Sequence, residues 1–75
     1  MNEQARMAAL DAATICKFRG EKWIERTRSA LKYEGVRTSE ATLKNTYKKR
    51  NVIRKMPSYP LMVPMFVEVI RAQQD

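Results

Sequence analysis

The chain has 75 residues, with fifteen Lys and Arg against eight Asp and Glu, one Cys, no His, and a net charge of +7. This length allows one domain, residues 1–75, stabilised by about three or four packed helices or by a dimer interface. Without His, a Ser or Cys nucleophile lacks its usual base and zinc has few ligands, and two glycines cannot form a phosphate loop, so an enzyme, a metal site and a cofactor are not expected.

Residues 2–18 are rich in Ala and free of Gly and Pro. Ala5, Ala8, Ala9, Ala12, Ile15 and Cys16 recur at steps of three and four, which predicts a first helix with those residues inward. Asn2 or a neighbour caps it, Glu3 suits its positive end, and Gly20 is a natural stop. Cys16 is expected as a small buried apolar residue. An unpaired Cys and no signal peptide point to a reducing intracellular setting, hence a cytoplasmic location.

Residues 21–34 predict a second helix, with Trp23, Ile24, Thr27, Ala30 and Leu31 inward. Lys22, Glu25, Arg26, Arg28, Ser29 and Lys32 lie mostly outside that stripe. Trp23 is expected at the centre of the core, with base stacking as the functional alternative. Gly35 ends this helix. Thr38 or Ser39 then caps a third helix over about 39–55, with Glu40 in its first turn. Leu43, Thr46, Tyr47, Arg50 and Ile53 fall on its inner side, with Ala41 beside them.

All three prolines lie in residues 56–64, "MPSYPLMVP". Met56, Tyr59 and Val63 each precede one, so an irregular or extended segment packed across the core is expected. Pro64 then opens a short fourth helix, "MFVEVIRAQQ", with Phe66, Val69 and Ile70 inward; a strand is the alternative. The expected fold is all-α: a compact bundle of about four helices containing a helix-turn-helix with a lengthened turn. No apolar run approaches the roughly 18 residues a membrane span needs.

The charge is concentrated. Residues 17–55 carry thirteen Lys and Arg against four Glu, a net +9, while residues 1–16 and 56–75 each carry −1. Such a block attracts polyanions. Two helices joined by a short Gly-bearing turn, the second basic and polar, outline a helix-turn-helix. There the second helix enters the major groove of double-stranded DNA, and its first residues reach base edges. The candidate base contacts are Arg37, Thr38, Ser39, Thr42, Lys44, Asn45, Lys48 and Lys49, with Glu40 also at the tip. Arg and Lys suit guanine, Asn suits adenine, and Ser and Thr adapt to several bases. Arg26, Arg28, Lys32, Arg50, Arg54 and Lys55 are the candidate phosphate contacts, which position the protein without reading sequence.

The stretch "SALKYEGVRTSEATLKNTYKK" resembles the core of small helix-turn-helix regulators of the phage repressor and activator type. The proline-bearing segment and the short apolar helix after it are similar to the closing part of some of these proteins, so the resemblance spans about residues 22–70. Leu43 and Tyr47 stand about two residues later than a tight turn after Gly35 would place them, so either the turn is longer or Gly35 is not the turn glycine. The resemblance implies a sequence-specific, DNA-binding transcriptional regulator, encoded by a phage or mobile element. It also implies a homodimer on two half-sites, with RNA polymerase or another host protein as a further partner. The Ala-rich face of the first helix, or Met62, Met65, Phe66 and Ile70, would form the dimer contact. The alternative is a small basic protein-interaction module that inhibits a host nucleic-acid-handling protein. An RNA binder stacking bases on Phe18, Trp23, Tyr33, Tyr47, Tyr59 and Phe66 is weaker, because these aromatics stand at core spacing. A membrane-surface role is weaker still, because the apolar stripes are needed for the core.

Overall fold

The computed structural model describes residues 2–74. Among them there are five helices and no strand: α1 (Asn2–Ile15), α2 (Glu21–Tyr33), α3 (Glu40–Lys48), α4 (Arg50–Ile53) and α5 (Tyr59–Ala72). The chain is all-α, as its periodicity predicts. The residue preceding α1, where its cap would lie, is outside the described residues.

Helix α1 is the axis of the fold, and all four other helices pack on it, α5 most extensively. Met7, Ala8, Ala9, Leu10, Ala12 and Ala13 are all fully buried. A helix with so broad an apolar surface belongs inside a bundle, and the alanines let its neighbours approach closely. The Ala-rich face is therefore occupied within the monomer and is not available for a dimer. Asp11 interrupts this run and is fully provided for. Arg54 donates to its carboxylate through Nε at 3.0 Å and Nη2 at 2.7 Å, and the Tyr59 hydroxyl donates to Oδ2. One carboxylate thus ties α1 to the residue after α4 and to the start of α5.

The end of α1 differs from expectation. The helix stops at Ile15, and the left-handed residue is Lys17, with φ of 69°. Lys17 N–H donates to the Thr14 carbonyl at 2.9 Å and Phe18 N–H to the Ala13 carbonyl at 3.0 Å. This is a Schellman closure made without glycine. Ile15, the last residue of the helix, is 51% exposed rather than in the core.

In α2, Thr27, Ala30 and Leu31 are buried as expected, and Trp23 and Ile24 are half-buried. Trp23 lies at the margin of the core, with its indole Nε1 donating to the Leu10 carbonyl at 2.9 Å. The expected helix over 39–55 is two helices. Lys49, at φ −97° and ψ 13°, departs from the helical path between them. Leu43, Thr46 and Ile53 are buried; Ala41 is exposed and Tyr47 is 37% exposed, so neither belongs to the core.

The largest correction is at the prolines. Residues 59–64 are helical, and α5 begins five residues before the expected start at Pro64. Pro60 sits in the first turn, where a missing N–H costs nothing, but Pro64 lies inside the helix. The bias of a pre-proline residue against helix is a local preference, and burial overrides it at Tyr59 and Val63. Phe66 and Ile70 are fully buried, and Tyr59, Met62, Val63, Val67 and Val69 pack partly against the same core. The side chains that gain from helix before Pro64 are Tyr59, Met62 and Val63, whose packing extends the apolar stripe continued by Phe66 and Ile70. Because Phe66 and Ile70 face inward, the outer apolar residues of α5 are Leu61, 79% exposed, and Met65.

Candidate nucleic-acid interface

The interface begins where α2 ends. Gly35 adopts φ 79°, a left-handed conformation that other residues adopt at a cost. Its N–H donates to the Lys32 carbonyl at 3.0 Å, and Val36 N–H donates to the Leu31 carbonyl at 2.8 Å. The Schellman closure reverses the chain and tucks Val36 partly into the core. The turn between α2 and α3 then occupies six residues, 34–39, in keeping with the long connector inferred from the spacing of Leu43 and Tyr47. Helices α2 and α3 touch each other only slightly and are held mainly through α1.

Two polar contacts fix this connector. Arg28 Nε donates to the Thr38 carbonyl at 3.0 Å, clamping it to α2. Ser39 caps α3: its Oγ accepts from Thr42 N–H at 3.2 Å and lies 2.9 Å from Thr42 Oγ1. The hydroxyls of Ser39 and Thr42 therefore help to position the tip as well as line it.

Between α2 and the connector lies an open groove of about 490 Å³, lined by Arg28, Ser29, Lys32, Val36, Arg37 and Thr38. It holds three cations and no acid. Ser29 and Val36 were not singled out from the sequence, although Ser29 lies one helical turn from Lys32 and so shares its face. Ser29 Oγ also donates to Gln73 Oε1 at 3.1 Å, bringing the end of α5 to the rim.

Along α3, Lys44, Asn45 and Lys48 are exposed on one outward face with Ala41. Lys44 pairs with Glu40 at 3.4 Å, but both side chains are more than half exposed and the pair is weak. Among the described residues, Arg37, Asn45 and Lys48 make no side-chain hydrogen bond or ion pair, so their polar groups are free for a ligand. Lys49 is turned back toward α1, 3.2 Å from Glu3.

The expected phosphate contacts divide into two groups. Arg28 and Lys32 line the groove, and Lys55 is exposed without a charged partner among the described residues. Arg26 lies over the Phe18 ring at 5.1 Å and Arg50 over the Tyr47 ring at 4.4 Å. The Arg54 guanidinium is already neutralised by Asp11, and that bond holds its pKa above the ordinary value. Among the expected contacts, Arg28, Lys32, Arg37, Lys48 and Lys55 therefore keep their charge without an acidic partner among the described residues, whereas Lys44, Lys49 and Arg54 are paired.

Among the described residues, no group of three His, Cys, Asp or Glu side chains could hold a metal ion, and no helix is long and apolar enough to cross a membrane. No protein-family model, curated protein or solved structure matches this chain.

Proposed function

We propose that the protein is a sequence-reading, double-stranded DNA-binding regulator that places α3 in the major groove. The observation that carries this reading is the pair of unpartnered polar side chains on α3, Asn45 and Lys48, in the element that follows a groove with three cations and no acid. Arg28 and Lys32 meet phosphates and set the register. Arg37 at the tip and Asn45 on the outer face have the donors and acceptors that discriminate guanine and adenine. Ser39 and Thr42 orient the first turn. The regulator is phage- or mobile-element-encoded, acts at the nucleoid, and binds as a homodimer.

The test is selection from a random duplex pool at near-physiological salt. A two-fold-symmetric motif is expected, with its discrimination lost in Arg37→Ala and Asn45→Ala. Recovery of DNA without an enriched motif overturns the reading. The exposed Leu61 and Met65 on α5 favour a second reading, a module that blocks a host nucleic-acid-handling protein. Such a module would bind its partner equally well with Arg37 or Asn45 replaced.

A further inference from the structure

A second pocket, of about 240 Å³, shares no residue with the basic groove. It is lined by Thr14, Phe18, Arg19, Gly20, Trp23 and Tyr47, so its three aromatic walls come from the turn after α1, from α2 and from α3. We propose that this pocket binds one nucleotide, with its base against the aromatic rings and its phosphate on Arg19.

The aromatic residues are only partly spent on the core: Phe18 and Trp23 pack against its edge, and Tyr47 lies outside it. Phe18 and Trp23 are half-buried and Tyr47 is exposed. Trp23 and Tyr47 meet edge to face, with centroids 5.2 Å apart and planes at 87°, forming an apolar corner. The indole N–H is already bound by the Leu10 carbonyl, so the ring is fixed and its polar atom needs no ligand. Pockets for drug-sized molecules run about 300–1,000 Å³, so this smaller space suits one flat ring system with its sugar. Aromatic side chains receive unstacked bases through their π-faces, and since Arg26 and Arg50 each cover one face of Phe18 and Tyr47, a base would use the opposite face.

The charge around the corner matches the other end of a nucleotide. Arg19 lines the pocket, Arg26 lies over the Phe18 ring, and Arg50 lies over the Tyr47 ring. Among the described residues none of the three forms an ion pair, and no acid lines the pocket. Arg19 Nη1 donates to the Phe18 carbonyl at 3.0 Å, which holds the guanidinium at the mouth with donors to spare. Gly20 has φ 63° and nothing within 4 Å of where a Cβ would stand, so this side of the mouth is open. Thr14 Oγ1 donates to the Leu10 carbonyl and can still accept from a base amino group.

A free mononucleotide and an unpaired nucleotide within a strand offer the same chemistry; a base stacked in a duplex does not. Trp23 is the single Trp of the chain, so its emission reports on this pocket alone. The full chain is titrated with AMP and, separately, with a short single-stranded oligodeoxyadenylate. Saturable quenching is expected, weakened about 5- to 100-fold in Phe18→Leu and reduced in Arg19→Gln. Arg19 is exposed and bonded only to a neighbouring carbonyl, so its variant keeps the fold, which far-UV circular dichroism checks. Quenching by AMP alone identifies a free-nucleotide site, and quenching by the oligonucleotide alone identifies a site for an unpaired strand residue. No saturable quenching by either overturns the proposal, as does quenching unchanged in both variants or equally lost in Arg37→Ala, which lies outside the pocket. The outcome is independent of duplex selection, which reads the other surface.

Discussion

Replacing Asp11 with Ala tests how α1, α4 and α5 are held together. The Asp11 side chain is 16% exposed and that of Arg54 is 39% exposed. A hydrogen bond to a charged group contributes roughly 1.5–3 kcal/mol, whereas an exposed ion pair contributes about 0.2–1 kcal/mol. Once the carboxylate is gone, water can still reach Arg54, so that half of the loss stays near 1 kcal/mol. The half-buried Tyr59 hydroxyl loses its acceptor at a further cost of about 1–2 kcal/mol. The expected loss is therefore about 2–3 kcal/mol, a fall in Tm of roughly 8–24 °C for a domain of this size. Thermal melts of the wild type, Asp11→Ala, Arg54→Ala and the double variant give the loss and the coupling between the two residues. A loss below about 0.5 kcal/mol, or strictly additive single losses, would refute the reasoning. Arg54→Ala also shows where this cation acts: with its charge spent on Asp11, the salt slope of duplex binding stays unchanged.

The remaining predictions concern α3, α5 and the alkaline limit. Lys48→Ala weakens duplex binding for all sequences alike and lowers the salt slope by about one unit; an unchanged slope removes Lys48 from the phosphate contacts. Pro64→Ala restores an interior helix donor and raises stability by about 1–2 kcal/mol in urea denaturation, after allowing for a more flexible unfolded chain; a destabilised variant would contradict the helical account of residues 59–64. Burial first, and the bond to Asp11 second, raise the Tyr59 hydroxyl above its ordinary 10.0. The folded chain therefore holds that proton more tightly, and the resulting stability is complete below about pH 10 and fades as pH rises through the folded value. Denaturation of the wild type and Tyr59→Phe should show a gap at about pH 8 that narrows near pH 11, and a constant gap would contradict this assignment.

Much of the site was legible in the chain because its signals are local. Ser39 caps α3 as a hydroxyl before an acid and a helical run should. Gly35 closes α2, and the late positions of Leu43 and Tyr47 allowed a lengthened turn, which the fold makes six residues long. The groove was only partly legible. Arg28, Lys32, Arg37 and Thr38 were singled out as charged or adaptable side chains, but their convergence depends on the bond from Arg28 to the Thr38 carbonyl. The partnering of Lys49 with Glu3 and of Arg54 with Asp11 joins residues more than forty positions apart, and no spacing rule reports such contacts.

The sequence alone determined the helical class, the ends of α2, the cap of α3 and the concentration of positive charge in the middle of the chain. Periodicity, capping chemistry and formal charge act within a few residues and need no fold to be read. The tertiary structure decided the rest. It buried the alanines of α1 beneath the other four helices, which removed the Ala-rich face as a dimer contact. It kept residues 59–64 helical against the local preference of two prolines, with Tyr59, Met62 and Val63 packing on the same core as Phe66 and Ile70. It moved Trp23 from the expected centre to the rim, beside Tyr47 and Phe18. Burial is a property of neighbours distant in sequence, so the same apolar pattern could describe a core or a pocket until α1 was in place.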